Sequence, residues 1–192
     1  MGITHLVLDI ETCPLSFEGY FGKSEEEKKK LLNPIDSRIV AIGLSFDSSS
    51  TVLDDADERE LLVSFWSRLK AFRVAHPLGR LVGFNIKEFD LPFLVTRSFL
   101  QDVEIVPFKL NEVIDLREKL AAYKFGHTRG KLKEYGEALG IEILEMDGSW
   151  IAEACFKGEV ERIREYLKKD LEITSRVLER LVRTRIIEIE RW

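Results

Sequence analysis

Cysteine is nearly absent from this chain: Cys13 and Cys155 are the only two, they form no CxxC, and His5, His76 and His127 lie far from both and from one another in sequence. That spacing speaks against a zinc cluster and against a disulfide framework. Cys13, with no histidine near it, reads as a small packing residue rather than a nucleophile. No run of about 18 apolar residues occurs, so no membrane-spanning helix is expected. Met1 to Thr12 lacks the basic-then-apolar order of a secretory leader, and a cytoplasmic protein is expected. Amide side chains are scarce too, one Gln and three Asn against 33% charged residues, a balance that points to a protein built for heat. A glycine-rich phosphate loop is missing, which excludes a P-loop NTPase. Nor is there an excess of positive charge. A net charge of -5 argues against a protein that coats nucleic acid by displacing counterions. An enzyme acting on nucleic acid is still compatible with it, because acidic residues that converge on divalent cations no longer form a repulsive patch.

What is present suits an α/β domain. With 192 residues, 45% of them hydrophobic, the chain can bury a sizeable core, and residues 1–192 are expected to form one domain. From Ile3 to Glu11, Leu6, Leu8 and Ile10 share one face while Val7, Asp9 and Glu11 share the other, the period-two signature of a strand. Further strands are expected at Arg38 to Phe46, Thr51 to Leu53, Leu81 to Phe84 and, briefly, Glu112 to Ile114. Apolar residues at helical spacing predict helices over Asp57 to Phe72, from near Leu91, and over Leu116 to Tyr123, Lys131 to Leu139 (ended by Gly140) and Val160 to Arg183. Strands first and helices later suit a mixed sheet flanked by helices.

Three acidic fragments stand out. Asp9 and Glu11 leave one face of a strand together, and two anions emerging side by side need a compensating charge such as a divalent cation; the alternative is a solvated strand end before Cys13-Pro14. Asp90 closes Asn85-Ile86-Lys87-Glu88-Phe89-Asp90 at a strand-to-helix junction, where Asp also serves as a helix cap. Tyr166 and Asp170 are four apart on the last long helix and so project together. Asp170 interrupts the stripe Ile163, Leu167, Thr174, Val177, Leu178 and Leu181, where a lone acid destabilises the fold unless it is paired.

In that order, Asp9-x-Glu11, Asn85-x-x-x-Phe89-Asp90 and Tyr166-x-x-x-Asp170 resemble the DEDD superfamily of 3′-5′ exonucleases, in its tyrosine-bearing (DEDDy) branch. The likeness is nearest to the proofreading exonuclease domain of family-B DNA polymerases and its stand-alone relatives. It runs from Leu6 to about Leu181 and includes the Lys131 to Ile141 helix-and-glycine stretch. A sister branch carries His one position further from the last Asp; Glu165 stands there, so the tyrosine version applies. The resemblance implies a ribonuclease-H-like mixed β-sheet flanked by α-helices and hydrolysis of phosphodiester bonds from the 3′ end of a nucleic acid. It implies two Mg²⁺ or Mn²⁺ ions, of the kind that activate water and neutralise phosphoryl charge together. Asp9 would bridge them, Glu11 and Asp170 would complete the inner site, Asp90 would hold the second ion, and Tyr166 would orient the attacking water. The resemblance favours DNA, single-stranded, as the substrate. No polymerase module follows Trp192, so a polymerase or repair partner would act in trans.

Other residues carry open readings. Asn85 is placed to meet the substrate or a metal-bound water, or to stabilise its turn. Phe89 is placed to stack on a terminal base or to pack inward, whereas Phe84 and Phe93 read as core. His127, Arg129, Lys131 and Lys133 form a basic run that either contacts phosphates or opens a solvated helix. Asp115 reads as a helix cap rather than another ligand. Leu15 to Ser37 is long for a link, and its Phe17, Tyr20 and Phe21 either line a substrate channel or belong to a packed excursion with a short helix at Glu25 to Leu32. RNA trimming uses the same chemistry and is the main alternative. A non-catalytic nucleic-acid-binding module of the same fold is the other, although all four acids and the tyrosine are present.

Overall fold

In the computed structural model, which describes residues 4–124, 130–144 and 149–190, β1 (His5–Pro14) lies at the centre of a five-stranded mixed sheet. β2 (Ser37–Phe46) runs antiparallel beside it and β3 (Ser49–Leu53) antiparallel beside β2. On the other side β4 (Arg80–Gly83) and β5 (Val113–Asp115) continue in parallel, giving the order β3-β2-β1-β4-β5. The helices among the described residues are α1 (Glu25–Lys30), α2 (Glu58–Ala75), α3 (Asp90–Leu100), α4 (Leu116–Leu120), α5 (Leu132–Ala138), α6 (Ser149–Lys157) and α7 (Val160–Arg183). This is the α/β class expected of the chain. No helix among the described residues is long and apolar enough to cross a membrane.

Alternation along β1 decides what covers each face. Leu6, Leu8 and Ile10 face α2 and α3, packing with Leu61, Phe65, Trp66, Leu91 and Phe93. Val7 faces the opposite way and joins Leu171, Val177 and Leu181 of α7. Each such side chain, fully buried, contributes about 1.5–3 kcal/mol, which is why the two stripes select this sandwich of helices around a sheet. An ion pair sits inside the first layer: Glu58, capped into α2 by the preceding Asp57, pairs with Arg97 of α3 through Nε at 2.9 Å and Nη2 at 2.5 Å, and also accepts the Ile39 N–H at 2.7 Å.

Several details depart from the sequence reading. α4 stops at Leu120 rather than Tyr123 because Ala122 and Tyr123 take positive φ values of 47° and 56°. α6 was not expected; it is two turns long, and its buried Ile151, Ala152 and Ala154 are too few to show a period. The reading of Cys13 as a packing residue, and of disulfides as improbable, is overturned. Cys13 at the end of β1 is bonded to Cys155 of α6, with Cα atoms 6.3 Å apart across a sequence separation of 142. Local spacing carries no trace of a pair that meets only through the fold.

Candidate active site

Asp9 and Glu11 leave β1 on the α7 side of the sheet. Opposite Asp9 in the register stands Gly43 of β2, and a Cβ there would lie 2.8 Å from Leu171 Cδ1 and 2.9 Å from Leu167 Cγ. The missing side chain therefore lets α7 lie close on the sheet at this level. Asp170, between those two leucines on α7, is delivered to β1. Carboxylate oxygens of Asp9, Glu11 and Asp170 come within 4.8 Å of one another. The β1–β2 register shifts immediately afterwards, between Glu11 and Thr12, an irregularity of the kind that re-aims side chains.

Asp90 arrives from the other side. Parallel pairing of β1 with β4 runs only to Val7 and Val82, so further along β1 a backbone donor is left facing the gap. Past β4 the chain reverses at Asn85, with φ 62°, and enters α3 at Asp90. Asp90 does not cap that helix, whose N-cap is Phe89 with no side-chain bond. Instead its Oδ1 accepts the Ile10 N–H at 3.1 Å, and it shares a hydrogen bond with the Asp9 carboxyl. Only 2% of Asp90 is exposed. The turn that brings it there is held by Asp115, which accepts N–H groups of Asn85 (3.0 Å) and Lys87 (3.1 Å) while capping α4 through those of Arg117 (2.9 Å) and Glu118 (3.4 Å). Asp115 thus caps as expected, and also clamps the turn.

Burial raises the proton affinity of all four carboxyl groups, and in Asp9 and Glu11 the neighbouring acids add to it. Burial, followed by the charges of Asp90, Asp170 and Glu11, pushes Asp9 well above the usual carboxylate range. Glu11 moves the same way, through burial and then Asp170 and Asp90, with Lys133 opposing. Burial raises Asp90 to about 8 despite its N–H donors, and Asp170 to about 6 despite Lys133 and the Tyr166 hydroxyl. That hydroxyl bonds to Asp170, and burial with the adjacent acids lifts Tyr166 above its ordinary phenol value. Tyr166 therefore keeps its proton at neutral pH. The Lys133 ammonium lies 4.7 Å from the Tyr166 ring centre. Among the described residues one lysine faces the four acids, and an all-oxygen donor set of this kind fits a hard divalent cation such as Mg²⁺ or Mn²⁺.

Residues 37–185 match a family model described as a predicted 3′-5′ exonuclease related to the exonuclease domain of PolB. The chain belongs to this family. An uncharacterized protein of Methanocaldococcus jannaschii, MJ0365, is 37% identical over 168 residues, covering 82% of this chain and 93% of the relative. The family B DNA polymerase of the hyperthermophilic archaeon Pyrobaculum calidifontis has the same fold, with a TM-score of 0.70 at 17% identity over 95% of this chain. The chain spans about a quarter of that polymerase, 25% of its length. The family match contains Asp90, Tyr166 and Asp170 but begins after Asp9 and Glu11, so it is the sheet geometry that unites the first pair of acids with the rest of this PolB-like exonuclease domain.

The remaining sequence candidates divide. Asn85 lines the turn before Asp90, and its side-chain oxygen accepts from Arg117 Nη1 at 3.0 Å. Phe89 packs partly buried against Phe93, ring centres 4.9 Å apart, while Phe93 itself is 2% exposed and in the core. Phe84 packs on Tyr135 at 5.7 Å. His127 and Arg129 lie outside the described residues. Gly43 was missed, though a glycine inside an apolar strand is itself a signal of close approach.

Proposed function

We propose that this domain, residues 1–192, is a metal-dependent 3′-5′ exonuclease that removes nucleotides from the 3′ end of a DNA strand, single-stranded by preference. The observation that carries the reading is the convergence of Asp9, Glu11, Asp90 and Asp170 from three separate elements on one point with too little positive charge to balance them. Asp9, Glu11, Asp90 and Asp170 would hold two Mg²⁺ or Mn²⁺ ions, with Asp9 central because it touches both groups. Ions bound there supply charge neutralisation at the phosphoryl oxygens and a more acidic water. Tyr166, protonated and already donating to Asp170, has its oxygen lone pairs left to orient a water, and so acts by positioning rather than as a base. Lys133 offers a cation beside the same carboxylates for a phosphate oxygen. Asn85 and Phe89, bordering Asp90, would meet the terminal nucleotide. A polymerase or repair complex is the partner we propose.

A cytoplasmic setting in a heat-adapted cell suits both the charge-rich composition and the disulfide, since intracellular disulfides are frequent in hyperthermophiles. The reading is tested with 5′-labelled DNA and RNA oligonucleotides and Mg²⁺ or Mn²⁺. A ladder of shortened labelled products is expected on DNA, absent with Asp9→Ala and slowed with Tyr166→Phe. A fully active Asp9→Ala protein would sink the assignment, and a ladder on RNA alone would shift it to RNA trimming.

A further inference from the structure

The sheet ends in β3 on one side and in β5 on the other. β5 is blunted, being three residues long and passing straight into α4. β3 is not. Ser49-Ser50-Thr51-Val52-Leu53 carries no charge and no proline, and its ladder with β2 keeps one register throughout. It therefore lacks the lysines, prolines and bulges by which edge strands are kept from pairing. The loop between β2 and β3 has two residues, Asp47 and Ser48, at φ 48° and 62°. Such a loop closes on a hydrogen-bonded pair, here Phe46 with Ser49. Pairs alternate from there, so Thr51 and Leu53 also spend their N–H and C=O groups on β2, and Ser50 and Val52 turn theirs outward. Among the described residues no strand pairs with that outer side.

The two faces of β3 open on different surroundings. Ser49 and Thr51 border a cleft of about 400 Å³ on the α2 side, whose walls include Phe46, Ala71, Phe72 and Ala75. Ser48 and Ser50 border one of about 490 Å³ on the α7 side, walled in part by Lys168, Glu172 and Ser175. A strand laid along β3 would send alternate side chains into these clefts, so apolar residues suit one set of positions and polar residues the other. Both ends of β3 are acidic: Asp47 and Asp55 stand exposed, while Asp54 is taken by Arg164 Nη2 at 2.9 Å. Charge decides the occupant. Antiparallel pairing of β3 with a second copy over its full length would set Asp47 against Asp55 at each end, like charges opposed. A foreign strand with Lys or Arg at its ends would meet both acids instead. We propose that β3 docks an extended segment of a partner protein, antiparallel as β2 is, with apolar residues at alternate positions facing α2 and a basic residue at each end. Such docking needs neither metal nor nucleic acid and is independent of the exonuclease reading.

The test is fluorescence anisotropy with a labelled peptide, Lys-Thr-Val-Thr-Val-Thr-Val-Thr-Lys, which spans Asp47 to Asp55 and sets its second and third threonines opposite Val52 and Ser50. N-methylation of those two threonines removes the N–H groups aimed at β3 and should weaken binding by about tenfold or more. N-methylation of the middle valine, whose N–H points away, should leave it unchanged. A peptide of the same composition with its valines grouped together should bind as weakly as the doubly methylated one. On the protein side, Asp47→Asn/Asp55→Asn should weaken binding by about fivefold at low salt and by less at high salt. Ser50→Pro, which deletes an outward N–H at an edge where proline is tolerated, should weaken it too, with a thermal melt to check folding. Undiminished binding of the doubly methylated or grouped peptide, or undiminished binding to Asp47→Asn/Asp55→Asn, would overturn the docking. So would a chain that sediments as a dimer and becomes monomeric with Ser50→Pro, since β3 would then belong to a second copy. DNA cleavage by these variants should match the parent, because none of the three positions lies at the carboxylates.

Discussion

Breaking the Cys13–Cys155 bond should cost this domain much of its stability. The link joins residues 142 apart in sequence. For a loop of that length the chain-entropy model gives about 5 kcal/mol, taken from the freedom the unfolded chain regains when the bond is cut. In a domain of this size each kcal/mol moves the melting temperature by about 2–4 °C, so a fall of about 10–20 °C is expected. Circular-dichroism melts of the oxidised protein, of protein reduced before heating, and of Cys13→Ala/Cys155→Ala would measure it, with thiol counting to verify each state. The double variant avoids leaving one buried thiol unpaired. Near-coincident melts for oxidised and reduced protein would refute the reasoning, and a single free thiol titrating rapidly in the native state would mean that the bond is not formed.

Other perturbations act on the charges and the packing. Asp90 and Asp170, raised to about 8 and about 6, hold protons in the folded, metal-free protein that the unfolded chain releases near pH 4. Stability in EDTA should therefore fall as pH rises from about 4 to about 8, and Mn²⁺ at a hundred times its dissociation constant should restore about 2.7 kcal/mol at pH 8; a flat profile in EDTA would contradict the raised affinities. Arg97→Met strands Glu58 in the core and should cost about 3–5 kcal/mol in chemical denaturation, with Glu58→Gln/Arg97→Met recovering part of the loss; an unchanged midpoint in the single variant would show the pair to be idle. Gly43→Ala forces a methyl against Leu167 and Leu171, at about 1–3 kcal/mol in stability. It should weaken Mn²⁺ binding, measured by calorimetry, more than that packing penalty alone suggests, and wild-type affinity would reduce Gly43 to a packing role.

Legibility in the sequence followed the range of each interaction. The β1 alternation, the α7 stripe and the three acidic motifs are local periodicities, and each element they imply is present. Asp115 as a cap was readable for the same reason, since it acts on residues two and three further on. Its second task, holding the Asn85–Lys87 turn, spans about thirty residues and left no local mark. The same is true of Glu58 with Arg97 and of Cys13 with Cys155. Two readings of one residue could not be separated locally either: Asp90 at a helix start looks like a cap, and only the end of the β1–β4 ladder, which leaves the Ile10 N–H facing it, turns the carboxylate toward Asp9.

The four acids reach one point by independent constraints. Strand alternation aims Asp9 and Glu11, the bare backbone of Gly43 admits the helix that carries Asp170, and a turn clamped by Asp115 delivers Asp90. Apart from the hydrogen bond between Asp90 and Asp9, none of these constraints depends on the acids attracting one another, and the neighbouring acids raise the proton affinity of Asp9 and Glu11. Packing and backbone hydrogen bonds must therefore hold the carboxylates together against their own repulsion. A cluster that stabilised itself would show paired charges and lowered proton affinities. Here the strain falls on the site and the support lies in the scaffold, the arrangement expected when the missing positive charge is brought by ligands rather than by side chains.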